Sequence, residues 1–498
     1  MIRFENVSFA YTTINSEGKT IHENGIRGLD LSINDGEFVV LTGGSGCGKT
    51  TITRLINGLI PHYYSGELSG NITIDGKSIP ETPIYETAGR VGSVFQNPRS
   101  QFFNVNTTDE IAFAAENQCR EPVEISKAIT ETAASMHIEK LLERSIFELS
   151  GGEKQIIACA SVSVLSPDII VLDEPSSNLD SEAVEKLKGI LSDWKSQGKT
   201  IIIAEHRLYF LRELADRMMI LDDGKIVKEL RSDEIKVLTF ADTERMGIRP
   251  LSLSDISYSR ETAPERKETL TLENFVFTYK GGRHGINIPK LELPTGGIIA
   301  VIGHNGAGKS TLARNICGLE RKCKGVMKFG GKALKEKERL KHCYMIMQDV
   351  NHQLFTESVR DEVMLSMTDK SLTVDRKLQM ADEILKTLDL LEYADTHPMA
   401  LSGGQKQRTA IASGIASTKP IIIFDEPTSG LDLAHMKGVA GEITKLRDIG
   451  KTVIIVTHDL EFILSCCDHI IRLEQGQVIE DYALNNDTCS RLLKFFCE

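Results

Sequence analysis

Two glycine-rich segments of this 498-residue chain have a composition that suits phosphate binding. Glycines let successive backbone N–H groups turn toward phosphate oxygens, and the start of a following helix adds favourable partial charge. We expect Lys49 and Lys309 to reach the β- and γ-phosphates of a nucleotide, and the Thr50 and Ser310 hydroxyls to bind Mg²⁺. The predicted phosphate-binding residues are Gly43, Gly44, Ser45, Gly46, Cys47, Gly48, Lys49, Thr50 and Thr51 in the first segment, and Gly303, His304, Asn305, Gly306, Ala307, Gly308, Lys309, Ser310 and Thr311 in the second.

Two acidic pairs, Asp173-Glu174 and Asp425-Glu426, each end an apolar run. A carboxylate in such a place is costly to bury unless a cation compensates it, so Asp173 and Asp425 are predicted to act on Mg²⁺ through its water shell. The following glutamates are placed to polarise the water that attacks a γ-phosphate. The alternative for one such pair is a helix N-terminal cap. Both pairs are followed by proline and then by a loop that ends in Leu-Asp, which favours the catalytic interpretation.

These motifs belong to an internal repeat, which determines the architecture. The same spacing separates Ser150 from Ser402 (402 − 150 = 252) and Glu174 from Glu426 (426 − 174 = 252). Gln96 and Gln348 are also 252 residues apart, whereas Lys49 and Lys309 are 260 apart (309 − 49), so the first copy carries eight additional residues between its lysine and its glutamine. Part of this excess lies in residues 61–67, for which the sequence favours a longer surface loop.

The pattern of apolar runs predicts an α/β fold with two domains, residues 1–230 and 269–498, joined by a polar linker, residues 231–268, in which 233–245 could form a short helix. Short β-branched runs alternate with longer amphipathic stretches, as expected for buried parallel strands with helical crossovers. The predicted core strands are 37–42, 169–173 and 200–204 in the first copy, and 297–302, 421–425 and 452–457 in the second. The alternating segments 2–11 and 270–279 predict antiparallel strands.

Composition limits the class of protein. The net charge of −12 argues against a chain built mainly to hold nucleic acid. Apolar runs reach only about five residues against the ~20 that span a bilayer, and the first residues lack the apolar core of a signal peptide, so the sequence predicts a soluble chain. The ten cysteines contain no C-x-x-C pair, which indicates neither a zinc site nor a redox motif.

Taken together, these motifs closely resemble a tandem pair of ABC-transporter nucleotide-binding domains over nearly the whole chain outside the linker. The resemblance implies that each domain combines a mainly parallel core sheet with an antiparallel β subdomain and a helical signature subdomain. It also implies ATP and Mg²⁺ as ligands, and two ATP sites that each use residues of both halves. Ser402 and Gly404 would then close the site of Lys49, and Ser150 and Gly152 that of Lys309.

Several single residues of this chain also match positions of the family. The resemblance assigns adenine stacking to Tyr11 and Tyr279, for which ordinary strand tyrosines are the alternative. The remaining roles are Mg²⁺ binding and sensing of a membrane partner for Gln96 and Gln348, γ-phosphate contact for His206 and His458, and coupling of the two sites for Asp180 and Asp432. Arg207 and Ile156 depart from the pattern that Asp459 and Arg408 keep, which predicts unequal sites rather than one inactive site.

The segments after Gln96 and Gln348 are similar to those of the ATPases of energy-coupling-factor importers for vitamins, vitamin precursors or metal ions. This similarity implies a peripheral protein at the cytoplasmic face of the cell membrane, with a transmembrane scaffold subunit and a substrate-binding membrane subunit as partners. Docking on the scaffold, or local core packing, would explain the apolar residues Phe102, Phe103, Leu354 and Phe355. The alternatives are a fused sugar-importer ATPase and a soluble double-ABC factor that acts on ribosomes or DNA.

Overall fold

In a computed structural model of the chain, the structure describes residues 1–14, 20–256, 258, 268–279, 284–369 and 371–497. The chain divides into two compact units, Met1–Asp255 and Ile256–Glu498, called here the first and second unit. Each unit repeats the same architecture of two sheets with flanking helices.

The described part of the first unit contains one antiparallel and one mainly parallel sheet. The antiparallel sheet has the order β2-β1-β4-β5. The other has the order β10-β9-β3-β8-β7-β6, in which the β9–β10 pair is antiparallel and the other neighbours are parallel. The strands are β1 (Ile2–Ile14), β2 (Thr20–Ile33), β3 (Phe38–Gly43), β4 (Gly66–Ile74), β5 (Lys77–Ser78), β6 (Val91–Val94), β7 (Ile169–Asp173), β8 (Thr200–Ala204), β9 (Arg217–Asp222) and β10 (Lys225–Arg231).

Helices cover the parallel sheet of the first unit. Helices α4, α5 and α6 also contact one another and form a separate helical layer. Short 3-10 turns cover Pro98–Ser100, Glu139–Leu141 and Ile146–Glu148. The helices are α1 (Lys49–Ile56), α2 (Leu59–His62), α3 (Ile84–Ala88), α4 (Thr107–Asn117), α5 (Pro122–Met136), α6 (Gly151–Ser163), α7 (Ser181–Ser196), α8 (Ser232–Val237) and α9 (Phe240–Arg245).

The second unit repeats both sheets, with the orders β12-β11-β14-β15 and β16-β17-β18-β13-β19-β20. Its strands are β11 (Thr269–Thr278), β12 (His284–Pro294), β13 (Ile298–Ile302), β14 (Lys324–Phe329), β15 (Lys332–Leu334), β16 (Cys343–Ile346), β17 (Ile421–Asp425), β18 (Thr452–Val456), β19 (His469–Glu474) and β20 (Gln477–Ala483). Its helices are α10 (Lys309–Cys317), α11 (Glu336–His342), α12 (Val359–Leu365), α13 (Val374–Thr387), α14 (Gly403–Ala416), α15 (Leu433–Asp448), α16 (Leu460–Cys466) and α17 (Cys489–Cys497). The predicted α/β fold, with a mainly parallel and an antiparallel sheet in each repeat, is confirmed.

The central parallel strands are mainly apolar because both faces of this sheet are covered. Every residue of β3 and β8 is buried, as is every residue of β13 and β18. Parallel strands share one carboxyl edge, so the loops after β3, β7 and β8 meet there. The chain therefore brings the glycine-rich loop together with the acidic pair and the histidine, both of which lie more than a hundred residues further along the sequence.

The start of the predicted linker packs on the first unit. Helices α8 and α9 lie within residues 231–256, and Ile235, Ile248 and Leu251 are buried in the core of that unit. The division between the units falls at Asp255/Ile256, and residues 259–267 of the predicted linker lie outside the described residues. The domain bounds given above therefore stay a prediction. Within the described ranges, no helix has both the length and the apolar composition needed to cross a membrane.

Candidate active sites

The two glycine-rich loops connect a buried strand to a helix, β3 to α1 and β13 to α10. In the first loop the Lys49 ammonium donates hydrogen bonds to the carbonyls of Gly43 (3.1 Å) and Gly44 (2.9 Å). In the second loop Lys309 donates to Gly303 (2.7 Å) and His304 (3.0 Å). Each lysine is thus curled back along its own loop, where it is predicted to meet phosphate oxygens.

The first glycine of each loop is required by space as well as by backbone conformation. Gly43 has φ 143° and Gly303 has φ 146°, values that L-residues rarely adopt. A Cβ added at Gly43 would lie 2.1 Å from the carbonyl oxygen of Leu221, and one at Gly303 would lie 2.3 Å from that of Leu473. Any other residue would push the loop away from the neighbouring strand.

A hydroxyl and a carboxylate meet at the start of each loop helix. Thr50 Oγ1 donates to Asp173 Oδ1 at 3.1 Å, and Ser310 Oγ donates to Asp425 Oδ1 at 2.9 Å. Burial raises the pKa of Asp173 to about 6, and the adjacent Glu174 adds to the rise. Burial also raises the pKa of Asp425. These carboxylates would gain from a nearby cation.

The donor set fits Mg²⁺, which prefers hydroxyl and carboxylate oxygens and keeps several waters. Thr50 and Asp173 would hold the ion in the first unit, and Ser310 and Asp425 in the second. Among the described residues, no group of three or more His, Cys, Asp or Glu side chains could hold a metal ion by itself. A bound Mg²⁺ would neutralise charge on the nucleotide phosphates.

Glu174 lies among the other predicted catalytic residues of the first unit. Its Oε1 is 3.4 Å from His206 Nε2, and its Oε2 accepts a hydrogen bond from Gln96 Nε2 at 2.8 Å. The residue has φ 45°, and its N–H donates to the carbonyl of Ala204 at 2.8 Å. Left-handed backbone is unfavourable for a non-glycine residue and is often found at functional sites. Here the carboxylate that follows β7 lies between His206 and Gln96.

The second unit repeats this geometry. Glu426 has φ 52°, its N–H donates to the carbonyl of Val456 at 2.9 Å, and its Oε1 is 3.4 Å from His458 Nε2. The side chains of His206 and His458 are equally enclosed, with 6% and 7% exposed. Gln348 lies in the loop after β16, as Gln96 does after β6. Both units therefore carry the same glutamate–histidine pair.

The two units differ at the residues beside the histidines. In the second unit Asp459 accepts from Phe462 N at 3.2 Å and caps α16. Arg207, its counterpart, cannot accept this bond and donates instead to the carbonyl of Leu179 at 2.9 Å. Residues 209–214 form turns where the second unit has α16. The departure noted in the sequence thus changes the loop structure without moving the glutamate–histidine pair.

Sequence reasoning missed Glu205, which organises this region of the first unit. The buried carboxylate accepts backbone N–H groups from Ser176 (2.9 Å), His206 (2.7 Å) and Arg207 (3.1 Å). It thereby ties the loop after Glu174 to the loop that carries His206. An acidic residue directly after the apolar run of β8 was the available signal.

Two further buried glutamates hold the loops that follow Gln96 and Gln348. Glu110 Oε2 accepts from the N–H groups of Phe103 (2.9 Å) and Asn104 (2.7 Å). Glu362 Oε2 accepts from the N–H groups of Phe355 (2.9 Å) and Thr356 (3.0 Å) in the same way. Their sequence signal was an acidic residue on the buried face of an amphipathic helix, α4 or α12.

The same loops present one exposed aromatic side chain in each unit. Phe103 is 75% exposed and Phe355 is 76% exposed, so core packing does not account for them. Phe102 is partly buried against the core and Leu354 is fully buried. The four apolar residues therefore divide into two that pack inside and two that face outward.

The predicted adenine-stacking tyrosines have different surroundings. Tyr11 and Tyr279 each place their hydroxyl near the threonine after the loop, Thr51 at 3.2 Å and Thr311 at 2.8 Å. In the first unit Arg54 also donates to the Tyr11 hydroxyl at 3.1 Å and stacks its guanidinium on Tyr64, 3.9 Å from the ring centroid.

Tyr64 belongs to the additional residues 61–67, and its ring lies edge-on to Tyr11 with centroids 6.3 Å apart. The interpretation of this insertion as a plain surface loop missed this contact. The insertion places part of its aromatic content beside a predicted nucleotide-binding residue of the first unit only.

Ser150 and Ser402, which are predicted to close the ATP sites, cap long helices. Ser150 and Ser402 accept from the N–H groups of Glu153 and Gln405, and those side chains bond back to the serine N–H, at the starts of α6 and α14. Gly152 and Gly404 lie in the first turns of these helices. Asp180 and Asp432 cap α7 and α15. A capped helix start with exposed N–H groups is an anion-binding surface.

Comparison with known proteins agrees with this arrangement. The sequence model of the ABC transporter family matches residues 26–177 and 286–429. A putative ABC transporter ATP-binding protein of Treponema denticola is 43% identical over 486 residues, which cover 97% of both chains. One of Methanosarcina mazei is 31% identical over 97% of this chain and 88% of its own length.

Among solved structures, the archaeal ribosome recycling factor aABCE1, in complex with the ribosomal stalk protein aP1, has a TM-score of 0.60 and 19% identity. The match covers 98% of this chain and 92% of that one. At this identity the likeness shows the fold alone. The family match covers both repeats, and the relatives match nearly the full length. The chain therefore belongs to the ABC transporter family, as an ATP-binding protein with two ABC ATPase repeats in one polypeptide.

Proposed function

We propose that this chain is the ATP-hydrolysing subunit of a membrane importer, and that it hydrolyses ATP in both units. The observation that carries the proposal is the duplicated glutamate–histidine pair, at 3.4 Å in each unit, beside a complete glycine-rich loop with its lysine. A chain with one degraded site would lack one of these groups. The intact pair in both units argues against the fused sugar-importer alternative, in which one site is often degraded.

In the proposed reaction Glu174 and Glu426 orient and polarise the attacking water. His206 and His458 contact the γ-phosphate, and the lysines of the loops stabilise charge on the phosphates. Gln96 bonds to Glu174 at 2.8 Å and so would link the catalytic carboxylate to the loop that carries Phe103. The glutamate, the histidine and the lysine of each unit lie at the carboxyl edge of its parallel sheet, where they would act on ATP and on the attacking water.

We further propose that each ATP site uses residues of both repeats. Ser402 and Gly404 would close the site of Lys49, and Ser150 and Gly152 that of Lys309. The capped starts of α6 and α14 support this role because they offer N–H groups and partial positive charge to a γ-phosphate. Asp180 and Asp432 would couple the two sites.

The partners are proposed to be a transmembrane scaffold and a substrate-binding membrane subunit, as in energy-coupling-factor importers of a vitamin, vitamin precursor or metal ion. The chain would bind at the cytoplasmic face of the membrane through Phe103 and Phe355. Their exposure on loops tied to buried glutamates supports this docking surface, since the loops begin at Gln96 and Gln348. Nucleotide-driven closure would then move both surfaces and transmit work to the scaffold.

The docking proposal is tested by Phe103→Ser combined with Phe355→Ser. Uptake in cells should fall severalfold while the ATPase activity of the isolated chain is retained. Val227→Ser combined with Ile479→Ser is the matched control, because these apolar residues are also exposed (59% and 48%) and lie on the edge strands β10 and β20. Unchanged uptake in the phenylalanine variant would leave the docking surface without support.

Co-purification of the tagged chain in detergent tests the subtype. A polytopic scaffold and a small membrane protein are the expected partners. Recovery of ribosomes instead would favour the factor alternative, for which aABCE1 offers a likeness of fold at 19% identity. A neighbouring gene for a polytopic membrane protein would favour transport.

A further inference from the structure

Helix α17 contacts the glycine-rich loop of the second unit. The ring of Phe495 on this helix lies against the imidazole of His304, with centroids 5.2 Å apart and planes tilted by 50°. The guanidinium of Arg472 lies 5.7 Å from the Phe495 centroid. Phe495 is therefore placed between a strand residue of the core sheet and a side chain of the phosphate-binding loop.

The helix that carries Phe495 is fixed to the second unit. Leu492 is fully buried and Phe496 is 8% exposed, and the Arg491 guanidinium lies 5.8 Å from the centroid of Tyr482 on β20. The Phe496 ring meets Phe495 edge-on at 5.1 Å. These contacts hold Phe495 in place, whereas the His304 it touches is exposed on the loop.

His304, which contacts Phe495, is also hydrogen-bonded to Lys309, the predicted phosphate-binding lysine. The carbonyl of His304 accepts a hydrogen bond from Lys309 Nζ at 3.0 Å, next to the bond from Lys309 to Gly303. A shift of the His304 backbone would therefore move the ammonium group. Small displacements of a positioned group weaken its interactions with ligand charge.

The first unit cannot form the same contact. The residue at the place of His304 is Gly44, which has no side chain to meet an aromatic ring. The segment that follows β10, which contains α8 and α9, contributes Ile235 and Ile248 to the core of the first unit. The support of the loop by an aromatic side chain is thus a property of the second unit.

We infer that Phe495 is a positioning residue for the second phosphate-binding loop, and that α17 gives the second site a tighter hold on ATP than the loop alone would have. The inference rests on the proposed function, because it takes Lys309 as the residue that binds ATP phosphates. The ligand chemistry is that of a nucleoside triphosphate with Mg²⁺.

The test measures the affinity of each site in the full-length chain. The probe is a fluorescent N-methylanthraniloyl derivative of ATP, titrated with Mg²⁺ present. Lys49→Ala leaves the second site as the one that binds, and Lys309→Ala leaves the first. In the Lys49→Ala background, Phe495→Leu should raise the Kd about 2- to 10-fold, the range expected for loss of one aromatic pair. The same substitution in the Lys309→Ala background should leave the Kd unchanged.

Two further variants separate positioning from general support of the fold. Phe495→Tyr keeps an aromatic ring and should retain the wild-type Kd of the second site. His304→Gly gives the second loop the residue of the first, and Phe495→Leu should then have no further effect, which is the signature of a direct pair in a double-mutant cycle.

An unchanged Kd in Phe495→Leu, or an equal loss at both sites, would overturn the inference. So would an effect of Phe495→Leu that persists in full when His304 is glycine. A different result would count against the proposed function. If the double variant Lys49→Ala, Lys309→Ala still bound two equivalents of the probe, the assignment of the sites would be contradicted.

Discussion

Replacement of both glutamates by glutamine tests the assignment of the catalytic base. Glu174→Gln combined with Glu426→Gln preserves the size of each side chain but removes the charge that orients and polarises water. Proton transfer by a positioned side chain contributes about 10²- to 10⁴-fold in rate, or ~3–5 kcal/mol of barrier. We therefore expect turnover of the double variant to fall by at least about a hundredfold.

The structure predicts that ATP binding survives this change. The Glu174 and Glu426 side chains are enclosed, with 12% and 17% exposed, but their neighbours are the polar groups of His206, Gln96 and His458. An amide can still accept a hydrogen bond from Gln96 through its oxygen and offer its NH₂ group to an unprotonated ring nitrogen of the histidine. Each substitution should therefore lower the free energy of unfolding by about 1 kcal/mol.

The assay is phosphate release at saturating ATP and Mg²⁺, with binding of the nucleotide measured in parallel. Glu185→Gln is the control, since this glutamate is 61% exposed on α7 and should not affect turnover. The single variants add information: each should keep about half of the activity if the sites act independently, and far less if one site cannot turn over without the other. A double variant that keeps more than about a tenth of wild-type turnover would refute the assignment.

Three other substitutions address separate parts of the site. Ser402→Arg should impair hydrolysis at the site held by Lys49, because its bulk and charge would intrude where the γ-phosphate is proposed to dock; ATPase rates in the Lys309→Ala background measure this. Tyr64→Leu should raise the Kd for ATP of the first site about 2- to 10-fold, because it removes the stacking partner of Arg54, which bonds to the Tyr11 hydroxyl; equilibrium titration measures it. Glu110→Gln should destabilise the first unit by about 1–3 kcal/mol, because the charge-assisted bonds to Phe103 and Asn104 are weakened, and should lower its Tm by several degrees.

Each of these three predictions has an outcome that would contradict it. A Ser402→Arg chain that loses only nucleotide held by Lys309 would contradict the pairing of the repeats. Tyr64→Leu should spare the second site, so an equal loss in both sites would point to a defect outside the insertion. Glu116→Gln, an exposed substitution on the same helix α4, is the control for Glu110→Gln, and an equal fall in Tm would show that the buried acceptor has no special role.

Much of the fold could be predicted because its signals are local in sequence. The strands 169–173, 200–204 and 421–425 appear in the structure with the predicted bounds, since a run of β-branched residues covered on both faces has few alternatives. The structural difference at α16, where the first unit has turns, was harder to predict from the sequence. The change from Asp459 to Arg207 was visible, but that it replaces a helix by turns depends on where the arginine finds carbonyl partners.

The sequence by itself determined the chemistry that short motifs carry. The glycine-rich loops, the acidic pairs and the repeat follow from residue types and spacings, because the backbone conformations they require are set within a few residues. Only the tertiary structure decided which distant groups meet. Glu205 joins two loops, Tyr64 reaches Tyr11 through Arg54, Phe103 faces outward, and Phe495 rests on His304. These contacts join residues that are tens to almost two hundred positions apart, and packing of the whole unit brings them within hydrogen-bond or van der Waals range.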